Sequence, residues 1–179
     1  MDAFDAVDIV GDGGNIPLQD GSVDAITCNA VLEHVPDPYN VVAEMLRVLK
    51  PGGCSQLMIP FVSPFHAYPA DYQRYSVSGI LELTGAFERI GLCVLTSPTS
   101  AMLVLFREYL HLLIPGGNSR VLRRVLNGLS GWFTFPFKYL DLWLNRKPEA
   151  ANLAAALYCL GRKCDTGTSA RITQLGDAG

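Results

Sequence analysis

Two short apolar runs open the chain, residues 7–10 and 23–28. Gly11-Asp12-Gly13-Gly14 follows the first, and Asp20-Gly21-Ser22 precedes the second. Near-continuous apolar runs of this length between turns are the pattern of strands buried on both faces of a parallel sheet. The spacing then turns helical: Val42, Met45, Leu46 and Leu49 recur as one stripe. Asp37 is placed to cap that helix and Pro38 suits its first position. Lys50 complements the dipole at the far end, and Pro51-Gly52-Gly53 is expected to stop it. A strand is predicted over 57–60, starting near Cys54. A loop rich in Pro and aromatics follows over 61–74. Ser76 then caps a helix carrying Ile80, Leu83, Thr84 and Phe87, and strands are predicted over 91–96 and 153–160. Strands alternating with helices predict an α/β, doubly wound domain. The 61–74 loop lies just past the carboxyl end of a strand, the edge at which such sheets bind ligands.

The connection between the last two strands is long for its kind, and residues 101–150 read as a helical insert. Leu122, Val125, Leu126, Leu129 and Trp132 form an apolar stripe there, with Arg120, Arg123, Arg124 and Asn127 on the other side. From 101 to 147 there are seven Lys or Arg against two acids, Glu108 and Asp141. That is a local charge of +5 in a chain of net charge −3, leaving −8 for the rest. A basic surface of this kind suits an anionic partner, and with Trp132 and Phe133 ending the stripe it suits peripheral contact with a membrane. The same stripes suit a lid packed on the domain, the reading favoured here. After Lys163 the sequence turns small and polar, so 164–179 is expected to be a disordered tail on a domain of residues 1–163.

Composition narrows the class. Hydrophobic residues make up 49% of 179 and charged residues 17%, which excludes a disordered chain. The mildly acidic balance does not suit a nucleic-acid partner. Cys28, Cys54, Cys93, Cys159 and Cys164 are odd in number and contain no Cys-x-x-Cys, so neither a disulfide framework nor any metal site is expected. Four of them lie in strand-like runs and read as small core residues in a reducing, cytoplasmic setting. The acidic opening Met1-Asp2-Ala3-Phe4-Asp5 is not a signal peptide, and no apolar run reaches membrane-spanning length.

Four linked segments carry a family resemblance. They are residues 7–12 (Val-Asp-Ile-Val-Gly-Asp), 16–25 (Ile-Pro-Leu-Gln-Asp-Gly-Ser-Val-Asp-Ala), 31–38 (Val-Leu-Glu-His-Val-Pro-Asp-Pro) and 44–53 (Glu-Met-Leu-Arg-Val-Leu-Lys-Pro-Gly-Gly). In this order they resemble the middle of a methyltransferase type 11 domain, of the class I S-adenosylmethionine-dependent methyltransferases. The resemblance runs from about residue 7 to about residue 97, with a weaker echo near 157–163. It implies a Rossmann-like, mostly parallel sheet that binds S-adenosylmethionine. Asp12 matches the carboxylate that accepts from the adenine amine, and Gly13 lets the backbone N–H approach the ring. Asn29 and Ala30 match the backbone facing the methionine part. His34 follows, a residue for the substrate side or for a structural hydrogen bond across the loop. Residues 64–75, Pro-Phe-His-Ala-Tyr-Pro-Ala-Asp-Tyr-Gln-Arg-Tyr, resemble a His-x-x-Pro-x-Asp-Tyr-x-Arg run of one branch of the family. There His66 is a candidate general base, Asp71 its orienter and Arg74 a binder of an anionic group. An Asp71–Arg74 pair that merely stiffens the loop is an equal alternative.

The family's Gly-rich turn after its first strand, and the acid that ends its second, are not identifiable here. Asp2 or Asp5 is a candidate remnant of that acid, at a spacing shorter than the family's. The sequence therefore reads as a domain lacking the first two strands, N-terminally truncated, and is expected to bind S-adenosylmethionine weakly by itself. Its expected function is methyl transfer to a small-molecule or lipid-like acceptor in a longer chain. The alternative is a non-catalytic, methyltransferase-like module that binds a partner or a membrane surface.

Overall fold

The computed structural model describes residues 9–66, 70–113 and 120–164, the side chains of 120–123, 126 and 133 excepted. Four strands form one sheet: β1 (Val23–Asn29), β2 (Leu49–Pro60), β3 (Glu88–Thr96) and β4 (Ala156–Arg162), in the order β1-β2-β4-β3. β1 and β2 pair in parallel. β4 runs antiparallel to both β2 and β3, so the other three strands point the same way. Parallel strands need a crossover, and α1 (Pro38–Val48) supplies it between β1 and β2. Helix α2 (Val77–Leu83) leads into β3. The result is an α/β, Rossmann-like sheet with three co-directional strands.

The caps follow the sequence. The Asp37 side chain accepts from the Asn40 N–H at 3.1 Å with Pro38 behind it, and Ser76 Oγ accepts from Gly79 N–H at 3.2 Å. Val41, Val42 and Met45 of α1 meet Ile80 and Leu83 of α2 over Leu57, Ile59, Leu157 and Cys159 of the sheet. Among the described residues only one face of the sheet is so covered. Along β2 the odd positions Ser55, Leu57 and Ile59 are buried, while Cys54, Gln56 and Met58 on the other face are half-buried. Past its register break β1 alternates likewise, with Ile26 half-buried and Cys28 buried while Ala25, Thr27 and Asn29 are exposed. Burial of β1 on both faces, expected from its apolar run, is thus corrected. β1 is an edge strand with β2 as its one partner among the described residues.

The helix stop is also corrected. Helix α1 ends at Val48, and Leu49 is already extended and paired with Val23. Pro51-Gly52-Gly53 lies inside β2 rather than in a loop. Lys50 Nζ pairs with Asp24 Oδ1 at 2.8 Å instead of capping a helix. Gly52 adopts a φ of 76°, and a Cβ on Gly53 would lie 2.8 Å from the Lys50 carbonyl. The glycines let the strand bend at its register break while Gly52 N–H donates to Lys163 O and Lys163 N–H to Gly53 O, each at 2.9 Å. β3 begins at Glu88, ahead of the expected 91–96, and β4 runs on to Arg162, because Glu88 and Arg89 pair with Arg162 and Gly161. The start expected at 153 is corrected: Leu153 ends a 3-10 turn and β4 begins at Ala156.

Ile9 and Val10 are exposed and in no strand. Residues 7 and 8 of that predicted strand, Asp2, Asp5 and the tail from 165 lie outside the described residues. Cys28 and Cys159 are core residues as expected. Cys93, on the edge strand β3, is exposed.

The insert is helical: α3 (Pro98–Leu112), α4 (Arg120–Thr134) and α5 (Asp141–Leu144), with 3-10 turns at Phe135–Leu140 and Pro148–Leu153. It starts immediately past the carboxyl end of β3. The buried Asp141 carboxylate accepts from the Thr99 N–H at 3.0 Å, and Asn145 Nδ2 donates to Ser97 Oγ at 2.8 Å. These bonds tie α5 to the N-terminus of α3, where an acidic group is favoured by the helix dipole. Among the described residues no helix is long and apolar enough to cross a membrane.

Candidate active site

The loop before β1 is fastened to α1 by three side chains spaced along that helix. Asn40 Nδ2 donates to Gly14 O at 2.8 Å, and Glu44 Oε2 accepts from Ile16 N–H at 2.9 Å. Arg47 donates to Ile16 O, Leu18 O, Asp20 and Glu44. The Arg47 hydrogen bond, with the Ile16 N–H next, draws the Glu44 carboxyl down to about 2. A carboxyl held this low in the folded state stabilises above its unfolded value near pH 4.3, and the gain is lost as pH falls through about 2. Glu44→Gln is therefore expected to lower the thermal midpoint at pH 7. Midpoints of parent and variant, measured by calorimetry between pH 7 and 2, should converge as the pH drops.

That fastening holds Asp12 and Gly13 in a turn closed by an isolated bridge between Asp12 and Asn15. Asp12 therefore stands in a loop and does not end a strand. Its Oδ1 accepts from Gly14 N–H at 2.9 Å. Ile9, Gly11, Asp12, Gly13 and Ile16 line an open cavity of ≈ 270 Å³. A Cβ on Gly11 would meet Pro17 Cδ at 2.8 Å, and one on Gly14 would meet Asn40 Nδ2 at 2.7 Å. One on Gly13 would rest 3.6 Å from Val41. Packing within the chain thus accounts for the first two glycines and leaves Gly13 unexplained.

β1 ends at Asn29, whose Oδ1 accepts from Gln56 Nε2 at 3.0 Å. Ala30 has a φ of 51°, the one positive value at a non-glycine among the described residues, and its N–H donates to Met58 O at 3.0 Å. A left-handed alanine costs about 1–3 kcal/mol, and such strain collects at functional sites.

The chain then makes the 3-10 turn Leu32–His34, and the 61–74 loop folds back on it. Tyr72 N–H donates to Glu33 O at 2.8 Å, and Gln73 Nε2 bridges Leu32 O and Val35 O at 3.0 and 3.1 Å. All four predicted substrate-side residues come together here. His34 Nδ1 donates to Ala70 O. The His34 and His66 rings meet edge to face with centroids 5.1 Å apart. Asp71 accepts from the His66 backbone N–H at 2.8 Å and sits 3.8 Å from its Nδ1. Arg74 grips both Asp71 oxygens and donates to Pro64 O at 3.0 Å. This guanidinium holds the Asp71 carboxyl far below the usual carboxylate range.

Sequence reasoning missed Glu33. It is fully buried beside both histidines. Its charge adds to burial in raising Cys28 to about 11, and it contributes after burial and Tyr39 to raising Tyr75 to about 12. Its adjacency to His34 was the available signal. On a short turn after a strand, consecutive residues need not point apart as they do along the strand itself.

The methyltransferase domain family matches residues 3–55, the stretch holding β1, α1 and the loop around Asp12. Over that stretch the chain resembles the class I S-adenosylmethionine-dependent methyltransferases. An uncharacterized methyltransferase of Mycobacterium sp. (strain KMS) is 41% identical over 64 residues, 35% of this chain and 25% of that protein. The demethylmenaquinone methyltransferase of Renibacterium salmoninarum is 39% identical over 75 residues, 40% of this chain and 32% of that one. The chain thus spans about a quarter to a third of the length of these methyltransferases. A Haemonchus contortus phosphoethanolamine N-methyltransferase 2, solved with phosphomonomethylethanolamine and S-adenosylhomocysteine, shares the fold. Its TM-score is 0.50 at 16% identity, over 87% of this chain and 37% of that one.

Proposed function

We propose that this methyltransferase segment, in its native full-length form, transfers a methyl group from S-adenosylmethionine to a small-molecule or lipid-like acceptor. One observation carries the reading. Residues 33–34, 64–66 and 70–74, distant in sequence, converge in a single polar cluster beyond the carboxyl ends of β1 and β2, the edge where open α/β sheets bind ligands. Gly13, which packing does not require, and Asp12, whose Oδ1 alone is engaged by the turn, fit the adenine end of the cofactor. The strained Ala30 and the backbone of Asn29 fit its methionine end. S-adenosylmethionine supplies an already activated methyl group, so the protein's task is alignment and proton removal. His66 is the proton acceptor for an acceptor hydroxyl or amine, with Asp71 positioning it. Arg74 spends its fork on Asp71, Pro64 O and Gln73 O, with Nη2 also 3.2 Å from His66 Nδ1, so it holds the loop rather than reaching for an anionic substrate. Asp12→Ala in the full-length protein is expected to weaken cofactor binding by about 1–3 kcal/mol with the fold intact. Calorimetry checks this, and unchanged affinity in a folded variant removes Asp12 from the adenine site.

The insert favours an apolar acceptor. Met102, Leu103, Phe137, Leu140, Leu144 and Leu153 line a cavity of ≈ 460 Å³ beyond the carboxyl end of β3. Around it Met102, Leu112, Trp132 and Leu142 are exposed by 66 to 83%. So much uncovered apolar surface is more than a lid closed on its own domain leaves, and it favours peripheral membrane contact. Full-length protein is expected to sediment with anionic vesicles at low salt and to lose that binding when Arg120, Arg123 and Arg124 are changed to glutamate. Failure to bind at low salt leaves the insert as a lid.

A further inference from the structure

Glu33 is a charge that methyl transfer does not use. It is 0% exposed, and among the described residues neither carboxylate oxygen has a hydrogen-bond partner. A buried carboxylate without donors is costly unless a cation compensates it. Two imidazole nitrogens face it instead. His34 Nε2 lies 3.7 Å and His66 Nε2 3.8 Å from the same oxygen, Oε1, both too far for hydrogen bonds. One ligand atom from each of the three residues lies within 4.8 Å of the other two. Ligand atoms about 2.0–2.2 Å from a shared divalent ion stand about 3–3.5 Å apart, so the two Glu33 contacts need close by only a few tenths of an ångström.

The far side of the His34 ring is held as a ligand histidine's is: its Nδ1 donates to Ala70 O, and a proton fixed there leaves the Nε2 lone pair toward Glu33. His66 Nδ1 lies 3.2 Å from both Pro64 O and Arg74 Nη2, and its Nε2 takes the ligand form when the Nδ1 proton goes to Pro64 O. His66 is half-exposed, which leaves coordination positions open on its side. We propose that Glu33, His34 and His66 bind one divalent first-row transition ion, of the zinc, cobalt, manganese or iron class. Two imidazoles and one carboxylate suit such ions better than magnesium or calcium, which prefer all-oxygen sites. The site stands on its own geometry and does not rest on the methyl-transfer reading. An ion there takes the His66 lone pair and offers a Lewis acid to an acceptor oxygen in place of a base.

The test is a titration of Co²⁺ into the purified full chain, with no methyl donor present, read by visible d–d absorption. A single equivalent is expected, displaced by Zn²⁺. His66→Ala and Glu33→Gln are each expected to weaken binding at least tenfold. His66 lies in a half-exposed loop position and Glu33→Gln keeps the side-chain shape, so circular dichroism should show both folded. Absence of d–d absorption at millimolar Co²⁺ overturns the proposal. So does binding that is unchanged in both variants, or one dominated by thiolate-to-cobalt charge transfer, which assigns the ion to the cysteines.

Discussion

Arg74→Ala is expected to lower turnover in the full-length protein by about 10²-fold or more while leaving cofactor affinity nearly unchanged. Arg74 closes the 64–74 loop through two bonds to Asp71 and one to Pro64 O. The Asp71 side chain is almost wholly buried, so removing the guanidinium leaves a carboxylate with no cation and with the His66 backbone N–H as a partner. The loop should then relax, and the His66 ring with it. Misplacing a reacting group by about 1 Å costs on the order of 10²-fold in rate. Arg74→Lys should recover little, because a point charge does not reproduce the two-pronged grip. Measuring kcat at saturating cofactor, beside the dissociation constant by calorimetry, separates the two effects. A loss confined to the dissociation constant would place Arg74 on the cofactor side instead.

The largest loss of stability is expected from Ile59→Ala, about 2–5 kcal/mol. Ile59 is fully buried in β2 and paired across the ladder with Leu157 of β4, itself fully buried. Both sit in the core beneath α1 and α2. Domains of this size are stable by roughly 5–15 kcal/mol, so the change removes a large share. Urea titration should show a lower midpoint with an unchanged slope. Met58→Ala, one residue away on the half-buried face, should cost clearly less. Equal losses at 58 and 59 would show that the second face of the sheet is covered as well.

The contrast between those two neighbours marks the boundary between what sequence and tertiary structure decide. Local rules were legible. Asp37-Pro38 and Ser76 started helices where their side chains bond the first-turn N–H groups, and the stripe from Val42 to Met45 faced the core. Those outcomes depend on residues three or four apart, which is the range a periodic pattern reports. The ends of elements were less legible. Pro51-Gly52-Gly53 reads as a stop, yet it became strand because Val23 and Lys163 supply pairing partners on either side. A ladder joins distant residues, and no local pattern names its partner.

The same limit shaped the candidate site. The motifs named Asp12, Gly13, Asn29, Ala30, His34, His66, Asp71 and Arg74 as chemistry-bearing residues one at a time. The sequence by itself determined the family resemblance, the helix caps and which side chains carry charge. Tertiary structure decided that Gln73 and Tyr72 fold the 61–74 loop onto the turn after β1, setting His66 against His34. It also decided that Glu33 is sealed between them. Burial and apposition arise from long-range closure of the chain, and a lone acidic letter beside a histidine does not reveal whether water will reach it.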